Sequence, residues 1–196
     1  MINVLARNPN NWVLDLVTIL IAVLLLLSQT NPVAIHASRA SPVVNDPDLK
    51  VETVVSGIEF PTGMAFLGQS DILVIEKDTG KVKRVIDGEI LNEPLLDVNV
   101  ANDVERGLLG IAVSKNLPDN NTYVFLYYTE AKEDGGDPIG NRLYRYELVD
   151  NKLINPKLLL DLPYLPGPAH DGGVIAIGPD NNVYVIVGNL YSPAFN

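Results

Sequence analysis

The chain contains no cysteine among its 196 residues. That excludes disulfide staples, thiolate metal centres and cysteine nucleophiles, and it leaves the compartment open, because an exported protein need not use disulfides. Histidine is nearly as scarce. There are two, His36 and His170, and they form no pair with metal-ligating spacing. Positive charge is also short: 14 Lys and Arg stand against 24 Asp and Glu, for a net charge of -10. A nucleic-acid partner is therefore excluded, since phosphate binding needs a basic face. The sequence has neither a phosphate-cradling glycine loop nor a serine-nucleophile elbow. Beyond its N-terminus it has no convincing amphipathic helix.

What is there begins with one long apolar run. Arg7 precedes a hydrophobic segment whose uncharged part, Leu16 to Leu27, is twelve residues long. That length suits the apolar region of a signal peptide, whereas a membrane span takes about 20 residues. Counting from Trp12, with Asp15 near the interface, a tilted anchor is the other reading. Ser38-Arg39-Ala40 offers a small-x-small cleavage pattern. Residues 1–28 are thus expected to be a hydrophobic helix, either a signal peptide or a membrane anchor, and both readings place the rest outside the cytoplasm, extracellular or periplasmic. Membrane contact is expected only if the helix is uncleaved. Residues 29–48, with Pro32, Pro42 and Pro47, read as a linker.

From residue 49 to 196 the pattern is short apolar runs punctuated by turn residues. Strands are predicted over Val51–Val55, Gly63–Leu67, Ile72–Glu76, Lys81–Ile86 and Leu95–Val98, with Asp78-Thr-Gly80 as a hairpin turn. The series restarts with Gly110–Val113, Tyr123–Thr129, Asn141–Leu148 and Lys157–Leu162, with a loop over Glu130–Gly140. It restarts again with Gly173–Ile177 and Val183–Val187. Pro-Asp-Asn-Asn follows the first strand of the second unit at residues 118–121 and of the third at 179–182. Gly63, Gly110 and Gly173 mark the three starts. Four strands per unit of this length predict an all-β fold made of β-propeller blades, favoured over a β-sandwich because the starting glycine and the turn recur. About two and a half blades are present, and the chain reads as the N-terminal part of a larger ring. Its open blade faces predict exposed apolar surface and strand edges.

His170 is the only histidine of the predicted strand region, and Gly172 and Gly173 follow it closely. It reads either as a loop histidine bonded to a neighbouring carbonyl or as a general base with an accessible nitrogen. Asp171 is a candidate to orient or ionise the imidazole. Glu105 precedes the second unit where His170 precedes the third, and equivalent loops of successive blades meet at one end of the ring. The two are therefore expected on one rim. Glu105-Arg106 also reads as an exposed ion pair of little energetic weight. Asn120-Asn-Thr122 fits a glycosylation sequon. Asp134 and Asp137 lack calcium-loop spacing and read as a solvated acidic loop. The tyrosines at 123, 127, 128, 144 and 146 read as core or blade-to-blade packing.

Phe60-Pro-Thr-Gly-Met-Ala-Phe66, Glu76-Lys-Asp-Thr-Gly-Lys-Val-Lys-Arg-Val85, Glu105-Arg-Gly-Leu-Leu-Gly-Ile-Ala112, Tyr123-Val-Phe-Leu-Tyr-Tyr128, Asn141-Arg-Leu-Tyr-Arg-Tyr146 and His170-Asp-Gly-Gly173 occur in that order. Together they resemble the glucose/sorbosone dehydrogenase family of soluble quinoproteins, over about residues 49–190. The resemblance implies a six-bladed propeller, the cofactor pyrroloquinoline quinone (PQQ), calcium, and oxidation of an aldose hydroxyl with transfer of electrons to an external acceptor. It implies that His170 is the base and that Glu105 lines the pocket near the cofactor. Two positions depart from the family pattern: Val174 stands where Arg is common, and Asn189 where Asp is common. The family's cofactor-binding cations and calcium ligands come from later blades, so this chain is expected to lack a competent cofactor site and to be inactive alone. A non-catalytic extracellular binding propeller is the alternative.

Overall fold

A computed structural model describes residues 43–114 and 121–191. The chain divides into a unit Met1–Val51, whose described residues 43–51 carry neither helix nor strand, and a unit Glu52–Asn196 that holds every strand. The predicted N-terminal helix, the cleavage pattern and the sequon at Asn120 lie outside the described residues. Among the described residues there is no helix, and none long and apolar enough to cross a membrane.

The first sheet contains β1 (Pro61–Phe66), β2 (Asp71–Glu76), β3 (Lys81–Ile86), β4 (Glu89–Ile90) and β5 (Leu96–Asp97). It runs β1-β2-β3 and then divides, because the short strands β4 and β5 both pair with β3. The second sheet is a four-stranded meander of β6 (Leu108–Ser114), β7 (Tyr123–Ala131), β8 (Pro138–Val149) and β9 (Lys152–Leu162). A third begins with the pair β10 (Gly172–Ile177) and β11 (Val183–Val187). All pairings are antiparallel, and the starting strands β1, β6 and β10 face one another in sequence. The fold is all-β and propeller-like, with sheets that do not close among the described residues.

Strand β7 shows why this sequence stacks its sheets. A strand sends alternate side chains to opposite faces. Val124, Leu126 and Tyr128 enter the core shared with the first sheet, beside Leu73, Ile75 and Val82. Tyr123, Phe125 and Tyr127 enter the second core, beside Ile175 of β10. Both faces are covered, so the run Tyr123–Thr129 is buried throughout. The tyrosines follow the packing expectation: Tyr127 is fully buried, and Tyr144 stacks on Tyr128 with centroids 5.3 Å apart.

Glycine sets the separation of β6 and β10. A Cβ on Gly110 would lie 1.7 Å from the carbonyl oxygen of Gly173. The two backbones can approach this closely only because Gly110 has no side chain. The starting glycines of the second and third units are therefore one structural device, a backbone contact between neighbouring sheets.

Three sequence expectations are corrected. Val51–Val55 is not a strand; no described strand pairs with it, and Val51 and Val54 are exposed. The loop after β7 shrinks to residues 132–137, because Glu130↔Gly140 and Ala131↔Pro138 continue the ladder across a bulge. Strand β9 begins at Lys152 instead of Lys157, since Asp150 and Asn151, both at positive φ, turn the chain straight back from β8. A register shift opposite Asn155-Pro156 had hidden this early start. By contrast, β3 and β11 have the predicted bounds, and Asp180-Asn-Asn182 is a turn in which Asp180 Oδ1 accepts the Asn182 N–H.

Candidate functional site

Residues 163–171 connect β9 to β10 and carry three prolines, including the cis peptide Leu165–Pro166. His170 lies near the end of this connection with φ 62°. A non-glycine residue adopts that conformation only when its surroundings enforce it. Three contacts do so. The His170 N–H donates to Glu105 Oε2 at 2.6 Å, and its carbonyl accepts the Leu190 N–H at 3.3 Å. Gly188 packs so tightly that a Cβ there would lie 1.7 Å from the His170 oxygen. Glu105 in turn donates its own N–H to the Pro168 carbonyl at 3.1 Å. The structure thus brings Glu105 and His170 together, through the histidine's backbone rather than its ring.

The ring is oriented by Asn189, which lies just beyond β11. His170 Nδ1 is 2.9 Å from Asn189 Oδ1. The same oxygen accepts the Tyr191 N–H at 3.1 Å. The Tyr191 N–H determines which way the amide is flipped, so in the neutral ring Nδ1 carries the hydrogen toward Oδ1 and Nε2 carries the lone pair. No hydrogen bond to Nε2 comes from a described residue. The exposed ring rests against Tyr191, with centroids 5.3 Å apart. Beside it lies a cleft of about 410 Å3 lined by Leu162, Pro163, Leu165, Pro166, Val187 and Asn189, among others. The arrangement can accept a proton at Nε2 from a hydroxyl brought to this rim.

Asp171 makes no hydrogen bond to the imidazole, whose partner is Asn189, which corrects the expectation of a direct contact. Its side chain points inward and is 1% exposed. Asp171 Oδ1 accepts from Asn141 Nδ2 at 3.0 Å, Asn141 Oδ1 accepts from Thr129 Oγ1 at 2.6 Å, and the Asp171 carbonyl accepts the Tyr127 hydroxyl at 3.0 Å. Oδ2 is buried without a partner. Burial raises the Asp171 pKa from its ordinary value; the Asn141 hydrogen bond and the Arg106 charge oppose this, while Glu105 and Asp103 reinforce it. Burial, aided by the nearby Asp171 charge, also pushes up the Tyr127 hydroxyl.

Arg106 is not part of an exposed Glu105–Arg106 pair. It is 6% exposed, and its guanidinium donates to the carbonyls of Tyr164 at 2.7 Å and Gly167 at 3.3 Å and to Asp103 Oδ1 at 3.3 Å. Its Nε is buried and unpartnered. The Arg106 charge is therefore committed to protein carbonyls and to Asp103. Lys77, on the same rim loops, is held by Asp78 at 2.6 Å and by the Asn102 carbonyl at 3.2 Å. PQQ carries three carboxylates, and a site for such a group calls for accessible cations. The described residues around His170 do not fit it. No group of described His, Asp or Glu side chains is placed to hold a metal ion. Asp134, of the acidic loop, accepts the Val100 N–H at 3.3 Å, a structural role.

Of the residues that build this site, the Asn189 position stood out in the sequence only as a departure from a family pattern. Arg106 gave no signal, because a cation that caps carbonyls reads the same as a solvated one.

Comparison with known proteins adds the following. The family model described as Glucose / Sorbosone dehydrogenase matches residues 58–194. Quinoprotein glucose dehydrogenase B of Acinetobacter calcoaceticus is 26% identical over 186 residues, covering 87% of this chain and 38% of that protein. Hedgehog-interacting protein of Homo sapiens is 28% identical over 155 residues, covering 71% and 22%. The PQQ-bound form of aldose sugar dehydrogenase from Streptomyces coelicolor superposes with a TM-score of 0.62 at 30% identity, covering 74% of this chain and 42% of that one. The chain spans less than half the length of each of these relatives.

Proposed function

Since the chain belongs to the glucose/sorbosone dehydrogenase family, we propose that it carries the proton-abstracting part of a PQQ-dependent aldose dehydrogenase built as a six-bladed propeller. PQQ is the cofactor named for a structural relative, and a sugar is the substrate class named for that relative and for the Acinetobacter protein. The observation that supports the reading is the seat of the His170 ring: Asn189 Oδ1, which also takes the Tyr191 N–H, faces Nδ1, and in the neutral ring this leaves Nε2 as the basic nitrogen on an open rim. Oxidation of a sugar hydroxyl to a carbonyl releases the O–H proton and a C–H hydride; a quinone held by the complete protein would take the hydride, and Nε2 is the group here that takes the proton. Asn189 then accepts a hydrogen bond from the imidazolium but cannot offset its charge as a carboxylate would. Glu105 contributes by fixing the backbone beneath the ring, and we place it at the edge of the cofactor pocket. The described residues around His170 offer neither free cations for the quinone's carboxylates nor a side-chain cluster for calcium. We further propose export, on the strength of the apolar run Leu16–Leu27, with electrons passing to an external acceptor.

The test is dye reduction, across a panel of aldoses, by a protein in which this chain is completed to a six-bladed ring and loaded with PQQ and calcium. His170→Ala is expected to lower kcat roughly a hundredfold or more, the scale of a lost general base; an unchanged rate removes His170 from the role. A second reading is favoured by the commitment of Arg106 to carbonyls and by the Hedgehog-interacting relative. It is a non-catalytic extracellular binding propeller, and a PQQ titration of the completed ring without absorbance change selects it.

A further inference from the structure

The conformation of His170 is held from below by two buried charged residues that the proposed reaction does not use. Asp171 reaches inward to the second sheet, with its carboxylate on Asn141 of β8 and its carbonyl on the Tyr127 hydroxyl of β7. Asn141 is itself fully buried, bonded to Thr129 of β7 and to the Pro163 carbonyl at 3.2 Å. One chain of hydrogen bonds therefore joins the interior of β7 and β8 to both ends of the 163–171 connection. Arg106 grips the middle of the same connection through the carbonyls of Tyr164 and Gly167. Both residues are more than nine-tenths buried, so neither touches a ligand on the rim.

We propose that Asp171 and Arg106 are positioning residues for His170: two buried ties that hold the 163–171 connection in the one shape that keeps Nδ1 on Asn189 and turns Nε2 outward. The proposal rests on the reading of His170 as the base. The geometry explains why a charged residue follows the histidine yet faces away from it. With His170 at φ 62°, successive side chains diverge, one to the rim and one to the core. Asp171 thereby fastens the loop at the residue adjoining the base. What the tie needs is an acceptor for Asn141 Nδ2, so an amide oxygen can replace the carboxylate; an alkyl group cannot.

The test reads the ring itself and needs neither cofactor nor sugar. Imidazole nitrogen shifts from long-range 15N correlation spectra of the full chain report the His170 tautomer. Acylation by diethyl pyrocarbonate, followed at His170 by peptide mass spectrometry with His36 of the same chain as reference, reports exposure of its unprotonated nitrogens. Asp171→Ala and Arg106→Met are expected to mix the two tautomers and raise the His170 acylation rate roughly threefold or more, the scale of losing a tying hydrogen bond. Asp171→Asn is expected to retain the wild-type signature. A folded Asp171→Ala chain with wild-type shifts and acylation overturns the proposal, as does an Asp171→Asn chain that behaves like the alanine variant. Should Asp171→Ala fail to fold, Tyr127→Phe decides, because it removes only the hydroxyl on the Asp171 carbonyl. A shifted signature supports the tie and an unchanged one overturns it. In the completed and loaded ring, Asp171→Ala should lower kcat with little change in KM. If His170→Ala leaves kcat intact while the ring signature still responds to Asp171, the reading of the base is wrong and the tie stands.

Discussion

At the scale of single residues, the site depends on His170 and Asp171 having opposite surroundings. His170 is exposed and its ring is held by a neutral amide; Asp171 is buried beside a single amide donor, with one oxygen unpaired. The buried acid has a consequence for stability. Folded Asp171 holds its proton more tightly than unfolded Asp171, whose pKa is near 3.8, because burial outweighs the help of Asn141 and Arg106. Folding thus binds a proton, and the cost of ionising this group appears as pH rises from about 3.8 through the raised value. Asp171→Asn, which cannot ionise, is expected to be more stable than wild type at neutral pH. Denaturant titrations across pH should show that advantage vanish below about 3.8, where both chains are neutral at this position. An advantage constant with pH would assign it to packing. The sequence brought His170 and Glu105 to one rim by matching loop positions between repeats. It could not show that the link runs through the His170 N–H, because that depends on a positive φ at position 170, nor that Asp171 finds its partner in Asn141, thirty residues away in the chain.

At the scale of elements, legibility tracked how strongly a strand is covered. Lys81–Ile86 and Val183–Val187 alternate and end at turn residues, and their bounds were readable. Strand β7, apolar on both faces, was readable as an unbroken run. Val51–Val55 carries the same residue types but finds no ladder partner among the described residues, and composition alone does not record partnership. The register shifts in β8 and β9 were equally invisible, since a bulge re-aims the pattern within one residue. The close approach of β6 to β10 gives the sharpest prediction at this scale. Gly110→Ala places a methyl group where the Gly173 oxygen stands, and the backbones must part. The cost should reach about 1–3 kcal/mol or more by the usual measure of overpacking. Chemical denaturation measures it, and a neutral result would mean that the two strands slide at little cost.

At the scale of the whole molecule, the strand-bearing unit presents two apolar faces. Met64 and Phe66 of β1 are exposed on one, and Val174, Tyr184 and Ile186 of β10 and β11 on the other. The expectation that open blade faces expose apolar surface is met in both places. Apolar patches bounded by an unpaired strand edge favour association. The chain, produced by itself, is expected to associate with rising concentration in sedimentation velocity. Replacing Met64, Phe66, Val174 and Ile186 with Lys or Glu should return it to a monomer. A wild-type chain that stays monomeric at high micromolar concentration would contradict this. The backbone contact of Gly110 with Gly173 acts on the same scale as a gauge block. With no side chain at Gly110, the spacing of β6 and β10 is set there by backbone against backbone, whatever apolar residues are exchanged elsewhere in the core. The rim loops that begin these strands, one bearing Glu105 and the other His170, inherit that fixed spacing. A change of core composition can therefore alter how firmly the sheets adhere without moving His170 relative to the carboxylate that holds its backbone.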